Sequence, residues 1–194
     1  MNRYLRALVV VPVGALKMGF AKLFHPKSFH GPALCMISPH SEITLDGGKL
    51  TIGSGFKMRD GAKLRVRKGA ECVLGKNVSL NSNDMIVCHE KIILGDNIQL
   101  SPNVQIYDHD HDYRAEGGLA AMKYKTAPVE IGNNVWIGAD VTVLPGVTIG
   151  DNTVIGAGSV VTRDIPSGVV AVGNPCRVLR EITEEDNYKY KLAP

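Results

Sequence analysis

The feature that most restricts this chain is a six-residue period. Read from Ile131, successive blocks are IGNNVW, IGADVT, VLPGVT, IGDNTV, IGAGSV and VTRDIP. The first place is always Ile or Val, the second is usually Gly, and the fifth is small or β-branched. The same phase runs upstream as LGDNIQ from Leu94 and LSPNVQ from Leu100, and more weakly as LGKNVS from Leu74 and IGSGFK from Ile52. Self-similarity at a fixed short period marks a repeat architecture, in which each unit needs its neighbours to bury its apolar face.

The period dictates the shape. Side chains alternate along a strand, so six residues make a short strand and a tight turn. Three such units close a triangular coil, with the aliphatic first place filling the interior and the small fifth place fitting where the coil narrows. Gly, Asn and Asp supply turn conformations that other residues resist. The predicted class is therefore all-β, a single-stranded parallel β-helix. The stretch from Ile37 to Arg180 would make about eight coils, a prism about 40 Å tall at roughly 4.8 Å per coil. A sandwich or barrel is disfavoured, because its strands recur about every 8–12 residues.

Two segments break the period, and the chain divides as 1–30, 31–182 and 183–194. The first segment reads as an amphipathic helix to about Phe24, with Leu5, Leu8, Val9, Pro12, Leu16, Phe20 and Leu23 on one stripe. Pro12 is expected to kink it. Three readings stay open: a helix packed on the prism, a peripheral membrane anchor, and a leader whose apolar run Ala7 to Leu16 lacks a clear cleavage site. That run is taken as too short to span a bilayer. The second break is the loop 108–128, and a loop expelled from a regular solenoid is more often functional than idle. After Ile182, Thr183 is expected to cap a short helix whose first turn holds Glu184, Glu185 and Asp186.

Charge is local. The first 41 residues carry Arg3, Arg6, Lys17, Lys22 and Lys27 and no acid, whereas the rest holds 17 basic against 19 acidic residues. That excludes a general nucleic-acid-binding surface. Cys35, Cys72, Cys88 and Cys176 form no CxxC pair and fit a reducing cytoplasm, with a peripheral site on the inner membrane face if the first helix is an anchor.

The chemistry-bearing residues gather where the repeat gives way. His111 and Trp136 hold the sixth place of their blocks, before an inward position, and should face outward. His109 falls in a turn place. An outward neutral imidazole at a cleft can take a proton from an attacking hydroxyl. A zinc site on His89, His109 and His111, of the kind found in gamma-class carbonic anhydrases, is the competing reading. Histidines 109 and 111, one spacer apart, are taken to point to opposite sides of a strand, which suits one tetrahedral ion poorly. No nucleophilic Cys or Ser motif occurs.

The runs LNSNDMIVCHEKIILGDNIQLSPNVQIYDHDH and VEIGNNVWIGADVTVLPGVTIGDNTVIGAGSVVTRDIPSGVVAVGNPCRVLREI resemble the hexapeptide-repeat acyltransferases. The similarity is greatest to galactoside, maltose and bacterial polysaccharide O-acetyltransferases, and covers about Leu74 to Ile182. The resemblance implies a left-handed parallel β-helix, a homotrimer with a site in each cleft between subunits, and transfer from acetyl-CoA to a sugar or glycan hydroxyl without a metal. It places the general base on His111, and acceptor contacts on Asn81 and Trp136. It places the oxyanion-stabilising N–H on Ala139, and coenzyme A contacts on Ala139, Ala157, Thr162, Arg163 and Arg180. His89 stands where the sugar enzymes carry an acceptor-binding aspartate, so the acceptor stays open between a sugar and a non-sugar such as serine or an antibiotic. A non-catalytic β-helical scaffold is the rival from another class.

Overall fold

The computed structural model describes residues 3–183, with the backbone alone for residues 3–6. The C-terminal helix expected after Thr183 lies outside the described residues.

Residues 29–172 wind into a left-handed parallel β-helix with three flat faces. The first face stacks Phe29–His30, Lys49–Ile52, Glu71–Leu74, Lys91–Leu94, Val129–Ile131 and Thr148–Ile149. The second stacks Met36–Ile37, Lys57–Met58, Ser79–Leu80, Gln99–Leu100, Trp136–Ile137, Val154–Ile155 and Val169–Val172, with Arg177–Glu181 returning antiparallel on the last. The third stacks Glu42–Leu45, Lys63–Val66, Met85–Cys88, Gln105–Tyr107, Thr142–Val143 and Val160–Val161. The helical coil starts slightly before residue 31, since Phe29 and His30 already pair with Leu50 and Thr51.

The interior follows the repeat. The first-place residues Ile131, Ile137, Val143, Ile149, Ile155 and Val161 are all buried, as are the fifth-place Val135, Val141, Val147, Thr153 and Ser159. The coil count differs from the sequence estimate: there are about six coils, hence a prism of about 29 Å. The strict 18-residue coil holds only downstream, as from Asn134 to Asn152. Upstream coils take about 20 residues, as from Asn77 to Asn97, and the expelled loop consumes about another coil's length.

Glycines supply left-handed turn positions as expected, at Gly55, Gly61, Gly146 and Gly158 among others, but one column of glycines serves a different purpose. Gly53, Gly75, Gly95 and Gly132 stack on the edge between the first and second faces, and none has positive φ. They are small because the next coil is close: a methyl group on Gly75 would sit 2.5 Å from the Gly95 carbonyl oxygen. The left-handed turn position is taken two residues later, by Gly55 at φ 76° after Gly53 and by Asn77, Asn97, Asn134 and Asn152 at φ of 54–60° after Gly75, Gly95, Gly132 and Gly150. Asn tolerates that region because its short amide bonds locally. Here the amides also form a vertical ladder, Asn77 to Asn97 at 3.0 Å, Asn97 to Asn134 at 2.9 Å and Asn134 to Asn152 at 3.2 Å.

The N-terminal helix, Arg3–Phe24, runs through Pro12 and closes the base of the prism. Val10, Gly14 and Met18 are buried against the first coil. The approach is close enough that a methyl on Gly14 would lie 2.2 Å from the Cys35 carbonyl oxygen. The first coil has no coil beneath it, and Lys17 takes that place: its Nζ donates to the carbonyl oxygens of Ser38, Pro39 and Ser41. One sequence expectation is corrected. The helix ends at Phe24 as expected, but its apolar stretch runs on past Leu16, and Ala7–Phe24 is long and apolar enough, by length and composition alone, to cross a bilayer.

The glycine column can be tested against the helix. Gly75→Ala should cost about 1–3 kcal/mol through overpacking. Gly19→Ala, with nothing within 4 Å of the new methyl, should be neutral or stabilising by up to about 1 kcal/mol. Urea unfolding midpoints of both variants check this; equal midpoints would refute the close-approach account.

Candidate active site

The loop leaves the prism at the edge between the third and first faces, and one buried carboxylate makes the exit possible. Expelling the chain there removes the backbone groups that the coil below would have bonded. Asp108 replaces them. It is fully buried and accepts N–H bonds from His89 at 2.8 and 3.0 Å, Glu90 at 2.7 Å and Lys91 at 2.8 Å. Its Oδ1 also lies 3.3 Å from His109 Nδ1.

Beyond Asp108 the repeat frame no longer applies. His109–His111 pairs antiparallel with Tyr124–Thr126, a hairpin standing off the prism, and Lys125 bridges to Asp112 at 3.1 Å. The Lys125 hydrogen bond holds the Asp112 carboxyl below its usual range. His109 and His111 share one face of this strand, because residues two apart do so. Both rings meet Tyr124, at 5.5 and 4.6 Å. The expectation of opposite sides was therefore wrong. What separates the two histidines is burial. His109 is largely enclosed, stacked on His89 at 3.6 Å and 13°, with Tyr107 edge-on at 5.9 Å. His111 is exposed farther out along the hairpin, paired with Tyr124. Stacked rings hold their in-plane lone pairs side by side rather than aimed at one point. Among the described residues no three His, Cys, Asp or Glu side chains are grouped to hold a metal.

The second set lies on a different edge, between the second and third faces. There Ser82, Pro102, Ala139 and Ala157 occupy one corner of successive coils, joined by Asn103 N to Ser82 O, Asp140 N to Pro102 O and Gly158 N to Ala139 O. Asn81 precedes Ser82 on the same corner. Its backbone N–H is held at 2.6 Å by buried Asp84, whose carboxyl burial pushes up to about 7. The coils stack closely at this corner, where a methyl on Gly138 would sit 2.5 Å from the Ala157 nitrogen. The Ala139 carbonyl is bonded to the coil above, while its N–H has no protein acceptor among the described residues. On the adjoining second face, Trp136 points outward, half exposed, with Nε1 donating to Ser101 Oγ at 3.0 Å. Arg180 lies on the returning strand of that face, its Nη1 bonded to the Glu181 carbonyl at 3.0 Å.

The singled-out residues thus fall into two groups. His89, His109, His111, Thr162 and Arg163 lie along the edge between the third and first faces. Asn81, Ala139 and Ala157 lie along the edge between the second and third, with Trp136 and Arg180 on the second face. A strand of the third face separates the edges by roughly 15–20 Å within one chain. Sequence reading missed Asp84, Asp108 and Tyr124. Asp84 carried a signal: it holds the fifth, inward place of the block LNSNDM, where a carboxylate is out of keeping. Asp108 and Tyr124 carried none.

The thiols are poor nucleophile candidates. All four are buried; burial pushes Cys35 up to about 11, and hydrogen bonding to Cys72 followed by burial pushes Cys88 up as well.

Two outcomes follow from the stack. Asp108→Asn, which turns an acceptor oxygen into a donor facing buried N–H groups, should cost about 1–3 kcal/mol in thermal or urea unfolding. Burial, then the charge of His109, holds His89 below the usual imidazole range of 6.5. The folded protein resists protonating it, so its share of stability is intact above about pH 6.5 and falls as the pH drops below that. The loss of melting temperature between pH 7.5 and 5.5 should shrink in His89→Gln; an unchanged loss would exclude this linkage.

Comparison with known proteins agrees with the coil. Residues 128–163 match the family described as bacterial transferase hexapeptide (six repeats). The chain is 46% identical over 126 residues to the galactoside O-acetyltransferase of Escherichia coli, covering 63% of this chain and 60% of that one. It is 42% identical over 122 residues to the galactoside O-acetyltransferase of Lactococcus lactis, covering 63% and 58%. It therefore spans about 60% of the length of these curated relatives. Among solved structures, a maltose O-acetyltransferase from Clostridium difficile 630 matches at 43% identity and a TM-score of 0.60, covering 69% of this chain and 70% of that one. A galactoside acetyltransferase in complex with coenzyme A matches at 32% and 0.61, covering 93% and 86%.

Proposed function

This chain belongs to the hexapeptide-repeat acyltransferase family, of the galactoside and maltose O-acetyltransferase type, and from that membership we propose that it transfers acetyl from acetyl-CoA to a sugar hydroxyl. The acceptor is a glycan of a surface polysaccharide under assembly, and the working unit is a homotrimer. The observation that carries the reading is the division of the matched residues between two edges. A base on one edge and an oxyanion donor on another cannot meet in one prism. They meet when the first edge of one protomer lies against the second edge of its neighbour, and three such contacts close a ring.

The reaction needs little from the protein because the thioester is already activated. His111, outward and exposed, removes the proton from the acceptor hydroxyl. The hydroxyl oxygen attacks the acetyl carbonyl, and the Ala139 N–H donates to the developing oxyanion. Collapse breaks the carbon–sulfur bond, the ester forms, and the coenzyme A thiolate takes the proton back from the imidazolium. Asn81, Trp136 and His89 would hold the acceptor, His89 by the ring edge left free of the stack. Ala157 gives the pantetheine arm a flat surface, while Thr162, Arg163 and Arg180 meet the polar end of coenzyme A.

His111→Ala should lower kcat by about 10²–10⁴-fold with little change in KM for acetyl-CoA. His109→Ala should act mainly on stability, through the lost stack. A dead His109→Ala beside a near-normal His111→Ala would reverse the assignment. The shared site is tested by mixing. Ala139→Pro removes the N–H at a corner where Pro102 already stands one coil below. Refolding it together with His111→Ala should recover activity that neither variant has alone. No recovery in a confirmed mixed trimer would place both groups in one chain. Release of coenzyme A thiol against a panel of sugars, glycans and serine then identifies the acceptor class.

A further inference from the structure

The N-terminal helix has two apolar faces, and the prism uses only one of them. Val10, Gly14, Lys17, Met18 and Ala21 turn toward the base of the coil. The opposite face carries Leu8, Leu16 and Leu23, each more than half exposed, and Phe20 and Phe24 flank it, more than half exposed while lining a cleft with Met18, Phe29 and Leu50. The stripe read from the sequence is thus the outer face, and the packed face is a second stripe behind it. Only 17% of the window Ala7–Phe24 is buried, at a mean hydropathy of 1.7. An uninterrupted apolar stripe of about five turns is more than isolated surface residues explain.

We propose that this outer face lies in the plane of an anionic lipid surface, with the prism standing on it, and that the helix does not span the bilayer. Charge favours lipid. The first 41 residues carry five basic side chains and no acidic one, and Lys22 on the helix and Lys27 in the turn that follows it are exposed. Basic residues flanking an apolar helical face are what an interface of acyl chains and anionic headgroups attracts. The side-by-side trimer proposed above leaves the bases of the prisms uncovered, so no second copy is placed to shield the stripe.

The in-plane orientation follows from Gly14 and Lys17. Spanning would require the helix to leave the prism. That would strip the Lys17 ammonium of its three carbonyl partners, open the close packing of Gly14 on Cys35, and uncover Met18 from the core. Burial already lowers the Lys17 pKa, and a move into hydrocarbon would desolvate the ammonium further with no partner. Lying flat keeps every one of these contacts and hides the outer stripe.

The test uses the full chain and vesicles, and its readout is independent of acetyl transfer. Flotation with vesicles of phosphatidylcholine and phosphatidylglycerol should carry the protein up, and pure phosphatidylcholine should carry at least tenfold less. The triple variant Leu8→Glu, Leu16→Glu and Leu23→Glu changes only exposed positions and should lose flotation at least tenfold, with its circular dichroism spectrum unchanged. Equal flotation of wild type and variant, or none of the wild type, overturns the proposal. So does a fall in the variant's mass by light scattering without lipid, which would mark the stripe as a protein interface. Orientation is read by replacing Leu8, Leu16 or Leu23 with Trp and measuring quenching by lipids brominated at different depths. Similar shallow depths at all three positions support the flat helix, whereas a deep position 16 between shallow positions 8 and 23 means that it spans.

Discussion

Everything in this molecule depends on the vertical hydrogen bond between one coil and the next. A single coil is a thin triangle with too little interior to hold itself together. Stacked at roughly 4.8 Å, the coils share one column of aliphatic side chains and satisfy one another's backbone groups. The sequence is repetitive because each coil meets the same neighbours above and below. The constraint reaches the turns as well: the glycine column exists because the next carbonyl is near, and the asparagine ladder because a left-handed turn and a vertical amide bond coincide at one position.

The same constraint explains how a site is made. A coil can expel a loop only if the backbone groups it abandons find other partners, and Asp108 supplies them with one carboxylate. The carboxylate serves structure and site together, since it also lies against His109 and thereby steadies the histidine stack beneath the exposed His111. A regular solenoid can offer reactive groups only along its edges, and it separates them by the width of a face. Chemistry that needs a base and an oxyanion donor in one place is then referred to the assembly.

Much of this was legible in the sequence, and what was not has a physical reason. The period from Ile131 identified the inward positions residue by residue, because a six-residue repeat leaves little freedom in what points where. It overcounted coils because upstream coils such as Asn77–Asn97 take about 20 residues and the expelled loop takes about another coil's length. The frame carried through Tyr107 and failed at Asp108, where the chain changes from coil to hairpin. From there, which of His109 and His111 is enclosed depends on Tyr124 and His89, residues far apart in sequence. Hydrophobic spacing found the stripe on the first helix but could not tell which face packs, since Val10, Gly14 and Met18 also lie at helical spacing.

The closed base has a consequence for how these prisms keep apart. A solenoid ends in open strand edges at both ends, and each is a template on which another copy could continue the winding. At the top, the strand Arg177–Glu181 folds back antiparallel and breaks the parallel register for the second face. At the bottom, the helix lies over Phe29–His30 and Met36–Ile37, and Lys17 occupies the carbonyls that a foreign coil would seek. The two ends are thus made unlike each other and unlike the middle. A chain whose interior could repeat without limit is held to a fixed length, and end-to-end growth into a filament is blocked where it would begin.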